Sequence, residues 1–277
     1  MKIAEIFRSL QGEGRLTGTD SIFVRASGCN LRCGFCDTPY ASWSPEGEDL
    51  SVDEILDRVQ GSGIRGQRPE VRGQGLGESI ANWKLQIENC KLRTDSSFIL
   101  HPSSLAKHIV LTGGEPMLFS ELIPLTAALR NAGWHITIET SGTLYLPVTC
   151  DLMSISPKLS NSTPCATGSA SVSMCDPRWT LRHEANRHTP NVINRLITEY
   201  DYQIKFVIDT PADCQEAELY LSKMPQIDRS RAMLMPQGTD PEELAAKNQW
   251  LKTYCAEHCL LFCPRRHVEW FGPGRGK

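Results

Sequence analysis

The chain has 277 residues, 40% of them hydrophobic, and a net charge of −3. That is enough apolar material for one large core or two small ones. No basic face makes nucleic acid a direct ligand, and no apolar run approaches the ~18 residues a spanning helix needs, so no membrane partner is expected. Lys2, Glu5, Arg8, Glu13 and Arg15 rule out a signal peptide over residues 1–25, so the expected location is the cytoplasm. Without export, eleven cysteines read as metal ligands or buried thiols rather than disulfides.

In chain order, a first strand is predicted at 21–26 (SIFVRA) and a helix at 52–60, with Ser51 as N-cap and Glu54 three residues on. Residues 61–106, rich in glycine and polar side chains, break the rhythm, with one helix around 79–92. A strand follows at 108–112 (HIVLT), then a helix at 119–132 and strands at 135–140 (HITIET) and 152–156 (LMSIS). Residues 159–186 show no clear periodicity and read as a second insertion or long loop. Strands at 203–209 (QIKFVID) and 231–235 (RAMLM) alternate with helices at 211–223 and 241–257. The last helix has Asp240 as cap, Pro241 in its first turn and Glu243 three residues on.

Six short Ile/Val-rich strands alternating with helices indicate an α/β protein with a parallel sheet. A full eight-stranded barrel takes about 250 residues and eight repeats. Six units fit a partial (β/α)6 barrel or an open sheet, and the partial barrel is the expectation. Residues 1–277 read as one domain, with insertions at 61–106 and 159–186. Just past nearly every strand lies a polar or glycine-rich cluster: GCNLRCGFCDT, GGEP, SGT, PK and PQGT. Parallel α/β folds gather ligand groups at the carboxyl ends of their strands, so these clusters predict one site.

Cys29, Cys33 and Cys36 form a C-x3-C-x2-C loop. A structural zinc takes four protein ligands, and no fourth Cys or His lies nearby in sequence. A disulfide cannot use three thiols. A 4Fe–4S cluster held by three thiolates leaves one iron free to chelate another molecule. The remaining reading, three buried thiols, fits poorly with a loop that also holds Asn30, Arg32 and Asp37.

This loop, with the aromatic Phe35 before its last cysteine, resembles the signature of the radical S-adenosylmethionine (SAM) enzymes. The resemblance implies a radical SAM fold in which SAM binds the open iron. One electron from the cluster then cleaves SAM to methionine and a 5′-deoxyadenosyl radical, which takes a hydrogen atom from substrate. LTGGEP at 111–116 is similar to the second motif of that superfamily. Its glycines would let the backbone approach the SAM amino group, and Glu115 would accept a hydrogen bond from it. By resemblance the SAM contacts are Phe35, Cys36, Asp37, Gly114, Glu115, Ser141, Ser156, Pro157, Lys158, Pro236, Gln237 and Gly238. ETSG at 139–142 also reads as turn chemistry, and PQG as a lead-in to the helix capped by Asp240.

The combination of SLQGEG at 9–14, FVRASGCN at 23–30 and CDT at 36–38 resembles the 7-carboxy-7-deazaguanine synthase family. The resemblance covers residues 1–38 and the strand-end clusters as far as 267–276, but not the two insertions. It implies conversion of 6-carboxy-5,6,7,8-tetrahydropterin to 7-carboxy-7-deazaguanine with loss of ammonia. It also implies Mg²⁺ as an added cofactor, a product destined for queuosine and other 7-deazapurines, a reductant such as flavodoxin, and a homodimer. The amide-like pterin edge would meet Leu10, Gln11 and Gly12, with Thr112 at the next strand end. Arg25 would take the substrate carboxylate. The Thr38 hydroxyl is a hard oxygen suited to Mg²⁺. Blander readings are a hairpin tip for QGEG, a surface ion pair for Arg25 and a turn for Thr38.

Two other readings share parts of this pattern. A glycyl-radical-enzyme activase carries both superfamily motifs but gives no reason for SLQGEG or Thr38. A non-catalytic iron–sulfur or zinc module expects a fourth cysteine. Cys255, Cys259 and Cys263 imitate a second triad, but LLFCP breaks any shared helix face, so they read as buried thiols. Cys165 and Cys175 are weaker candidates for an auxiliary cluster.

Overall fold

The computed structural model describes residues 1–61, 107–164, 176–272 and 274–275. Its frame is a nine-stranded sheet. The strands are β1 (Lys2–Leu10), β2 (Asp20–Ala26), β3 (Glu48–Asp49), β4 (His108–Gly113), β5 (His135–Thr140), β6 (Leu152–Ile155), β7 (Tyr202–Ile208), β8 (Ala232–Pro236) and β9 (Leu261–Phe262). They lie in the order β3-β1-β2-β4-β5-β6-β7-β8-β9. From β2 onward every pairing is parallel, whereas β1 runs antiparallel to β2 and β3. All six expected strands are present. The three that were not expected lie at the two ends of the sheet: β1 mixes charges into its apolar pattern, and the edge strands β3 and β9 are two residues each.

The expected α/β class is met by a mostly parallel sheet, and this sheet does not close into a barrel. Its edges are β3 and β9, and two-residue strands offer too few backbone groups to pair across the gap. Side chains and loop backbone span that gap instead. The Arg15 amide donates to Gln203 Oε1 at 3.0 Å, and the Arg266 amide donates to the Gly12 carbonyl at 3.0 Å. The 11–19 connection between β1 and β2 is thereby fastened to β7 and to the chain beyond β9.

The helices are α1 (Pro39–Ser42), α2 (Val52–Gln60), α3 (Leu122–Asn131), α4 (Pro177–Arg187), α5 (Pro190–Glu199), α6 (Pro211–Lys223), α7 (Pro241–Glu257) and α8 (Arg266–Phe271). Ser51 caps α2 in a reciprocal box with Glu54, and Asp240 caps α7 through the amides of Glu242 and Glu243. The helix expected at 119–132 is shorter, because Pro116–Leu118 forms a 3-10 turn and Phe119 is extended. Helix α4 lies where 159–186 showed no periodicity. Its one buried residue is His183, so it has no apolar stripe to read. The expected helix at 79–92 and the candidates Cys165 and Cys175 lie outside the described residues.

The core sits between the sheet and its outer helices. Ile109, Ile136, Ile138, Met153, Ile155, Ile204, Phe206 and Leu234 are fully buried there. Among the described residues no helix is long and apolar enough to cross a membrane.

Candidate active site

The carboxyl ends of the parallel strands open into one cavity of about 270 Å³. Every expected cluster reaches it: Cys29, Cys33, Phe35, Cys36, Asp37 and Thr38 beyond β2, Thr112 and Gly114 at β4, Ser141 beyond β5, Ser156 and Lys158 beyond β6, Gln237 beyond β8. Leu10, Gln11 and Gly12 enter from the β1–β2 connection, and Arg25 from β2. Glu115, Pro157, Pro236 and Gly238 are buried and do not line it.

Neighbouring backbone and helix α4 shape the cysteine loop. The Gly28 amide donates to Ala41 O at 2.8 Å, and the Gly34 amide to Ser162 O at 2.9 Å. Trp43 Nε1 donates to Cys33 O at 3.1 Å. His183 Nδ1 accepts from the Arg32 amide at 3.1 Å, and Asn186 donates to Asn30 O at 3.2 Å. Burial and the charge of Glu115 push the Cys29 thiol up to about 12. Burial also raises Cys33, against Lys158, and raises Cys36. Such thiols become thiolates only beside added positive charge, which an iron centre supplies. Among the described residues no three His, Cys, Asp or Glu side chains are grouped as around a single ion. Cys29, Cys33 and Cys36 line one cavity, and a cluster's irons would take one thiolate each there.

The GGEP turn is packed as tightly as its glycines imply, though against protein. A Cβ on Gly114 would stand 2.2 Å from Gly28 O, and one on Gly113, whose φ is +144°, 2.2 Å from Ala26 O. The Gly114 and Glu115 amides donate to Ala26 O and Gly28 O, which fixes β4 against the start of the cysteine loop. The Glu115 side chain is fully buried. Its carboxylate accepts from Thr140 Oγ1 at 2.8 Å, Ser141 N at 2.9 Å, Ser141 Oγ at 2.5 Å and Met117 N at 3.1 Å. It therefore ties the ends of β4 and β5 together beneath the cavity.

The cavity is also lined by charged residues that the sequence reading did not assign: Glu13, Glu139, Lys205, Arg265 and His267. Lys205 Nζ is 2.9 Å from Glu13 and 3.9 Å from Glu139. Arg265 reaches Glu13 at 3.4 Å, Asp37 at 2.5 Å and Gly238 O at 2.6 Å. Burial alone would raise the Glu13 carboxyl, but Lys205, Arg265 and His267 outweigh it and hold it far below the usual range. Burial likewise opposes the charge on Lys205, and Glu13 and Glu139 reverse that effect. Gln11 Nε2 donates to Glu139 Oε1 at 3.1 Å and Thr112 Oγ1 to Glu139 Oε2 at 2.9 Å. Phe7 and Phe23, stacked at 5.0 Å, complete an apolar side. Lys205 was detectable: a lysine inside the apolar run QIKFVID needs a buried carboxylate partner. Its partners were not, since they lie 192 and 66 residues away in sequence.

Thr38 stands at the N-cap of α1, with Oγ1 3.9 Å from Cys36 Sγ and no side-chain cap bond. Thr38 thus lines the cavity beside the cysteine loop. Cys255 and Cys263 are buried, and Cys259 is partly buried.

No family model matches the chain. It is 37% identical over 275 residues to the 7-carboxy-7-deazaguanine synthase of Rhodopirellula baltica, covering 99% of this chain and 88% of the relative. It is 37% identical over 273 residues to the protein of the same name from Halobacterium salinarum, covering 97% and 89%. The crystal structure of QueE from Escherichia coli superposes with a TM-score of 0.55 at 24% identity, covering 96% of this chain and 94% of that one, a likeness of fold. With this identity sustained over nearly the whole length, the chain belongs to the 7-carboxy-7-deazaguanine synthase family.

Proposed function

We propose that this protein converts 6-carboxy-5,6,7,8-tetrahydropterin to 7-carboxy-7-deazaguanine and ammonia, using a 4Fe–4S cluster, SAM and Mg²⁺. The observation that carries this reading is a single cavity lined both by the three thiols and by the paired charges of Glu13, Glu139, Lys205 and Arg265. Cys29, Cys33 and Cys36 would hold the cluster, which with SAM at its open iron supplies the one-electron chemistry that removes a hydrogen atom from substrate.

The chain's own residues bind and orient. Glu13, held ionised by Lys205 and Arg265, and Glu139, 3.9 Å from Lys205, accept hydrogen bonds from the amino and ring N–H groups of a pterin edge. Gln11 and Thr112 fix the rotamer of Glu139 from both sides. Arg25 takes the substrate carboxylate. The Thr38 hydroxyl would be the one protein ligand of a Mg²⁺ that also binds that carboxylate. Ser141, Ser156, Lys158 and Gln237 line the side where SAM would lie, with Phe35, Asp37 and Gly114 beside the cysteines. Phe7 and Phe23 keep water from the reacting ring. Substrate and product differ by one ammonia, so no net oxidant is consumed. A one-electron donor such as flavodoxin and a homodimeric assembly belong to the same proposal and rest on the family resemblance.

The test is anaerobic reconstitution with iron and sulfide, then incubation with SAM, dithionite, Mg²⁺ and the carboxy-tetrahydropterin. The expected product is 7-carboxy-7-deazaguanine. SAM cleavage with the pterin untouched would overturn the substrate. A protein that retains zinc and never cleaves SAM would overturn the radical reading.

A further inference from the structure

Arg25 does not enter the cavity freely. Its Nε donates to Glu5 Oε1 at 2.6 Å, and the same oxygen accepts from the Tyr40 hydroxyl at 2.7 Å. Glu5 and Arg25 are direct cross-strand partners of β1 and β2, and a register shift between Ile3 and Glu5 creates that pairing. A bulge of this kind re-aims a side chain. It turns Glu5 to the same side as Phe7, whose ring lies 5.8 Å from the Arg25 guanidinium carbon. Both ion-pair side chains are 17% exposed. Among the described residues no acceptor is bonded to the two terminal nitrogens of Arg25.

A guanidinium can grip a carboxylate side-on, through Nε and one terminal nitrogen, or end-on, through both terminal nitrogens. Here Nε is already taken. We infer that Glu5 and Tyr40 are positioning residues that lock Arg25 into the end-on geometry, and so make the cavity selective for a ligand bearing a planar carboxylate. Neither residue need touch the ligand. Tyr40 follows the CDT segment by two positions, so the same short stretch carries the Thr38 hydroxyl and the residue that steadies Arg25. Arg275 packs on the Tyr40 ring at 3.5 Å and bonds Glu46, bracing the ring from the far end of the chain.

This inference rests on the proposed role of Arg25, and the experiment separates the two. Binding of 7-carboxy-7-deazaguanine and of 7-deazaguanine, which lacks the carboxylate, is measured by calorimetry on the reconstituted enzyme. Glu5→Ala is expected to weaken the carboxylated ligand about tenfold, the scale of one charge-assisted hydrogen bond, and Tyr40→Phe less. Both should leave 7-deazaguanine unchanged. Glu5→Ala/Arg25→Ala should bind the carboxylated ligand no more weakly than Arg25→Ala alone. In turnover, KM should rise with kcat nearly constant. Equal weakening of both ligands by Glu5→Ala, or losses that multiply in the double variant, overturn the positioning role. If Arg25→Ala itself treats the two ligands alike, the assignment of Arg25 falls and this inference with it.

Discussion

Glu13 meets Lys205, Arg265 and His267 inside a cavity that removes it from bulk water. Its folded carboxyl titrates below its unfolded value, so the pairing is fully stabilising above the ordinary carboxylate range and is lost as pH falls toward the folded value. Replacing Lys205 with Met leaves that carboxylate buried without its nearest cation. The expected cost is roughly 3–5 kcal/mol by urea unfolding at pH 7. It should shrink as pH is lowered to 4, because the buried carboxylate left without its partner can then be protonated, and a gap that does not change with pH would count against the pairing. At the cysteine loop, Cys33→Ala is expected to lose cluster binding, read as iron per chain after reconstitution. Thr38→Ala should keep its iron and lose mainly the Mg²⁺ dependence of turnover; an unchanged Mg²⁺ response would remove Thr38 from the metal. Cys29, Cys33, Cys36 and Thr38 were legible because their spacing is local. Glu13, Glu139 and Arg265 were not, because a charge gains meaning only from what faces it.

Helices α2, α6 and α7 were legible to the residue because proline and side-chain caps mark their starts. The Ser51 cap predicts that Ser51→Ala costs about 1 kcal/mol in urea unfolding while leaving turnover intact. Helix α4 behaves differently. Its inward face is polar, and it holds the cysteine loop through His183 and Asn186. Since His183 Nδ1 accepts from the Arg32 amide, the ring must be neutral with its proton on Nε2, facing Ser162 Oγ at 2.9 Å. Burial pushes this imidazole down to about 4. A histidine depressed on folding contributes fully above its unfolded value and loses that contribution as pH falls toward 4. Amide hydrogen exchange at Arg32, corrected for its intrinsic pH dependence, should therefore lose protection between pH 6.5 and about 4. In His183→Leu that protection should be low at every pH.

The whole molecule is an open sheet whose missing closure is supplied by one loop. Gly12 shows how little room that arrangement leaves, since a Cβ there would stand 2.5 Å from His267 Cβ. Gly12→Ala is expected to cost roughly 1–3 kcal/mol as an overpacked contact. It should also lower turnover at least tenfold by parting the loop from α8, measured by urea unfolding beside the reconstituted assay. A Gly12→Ala enzyme of unchanged stability and rate would show that the loop does not close the site. The expected parallel strands are all present, and the sheet they form is not closed. Strand number can be read from local apolar runs, but closure depends on whether the edge strands are long enough to pair, and here they are two residues each.

Local patterns alone determined the six central strands, the strand-end clusters, the cysteine spacing and the family, because each is written in contiguous residues with a fixed period or gap. Only the tertiary structure decided which charges meet across the cavity, that Glu115 lies beneath its floor and that Arg25 is held from behind by Glu5. These depend on strand order, on one register shift and on contacts between residues far apart in the chain, and no local pattern encodes a partner.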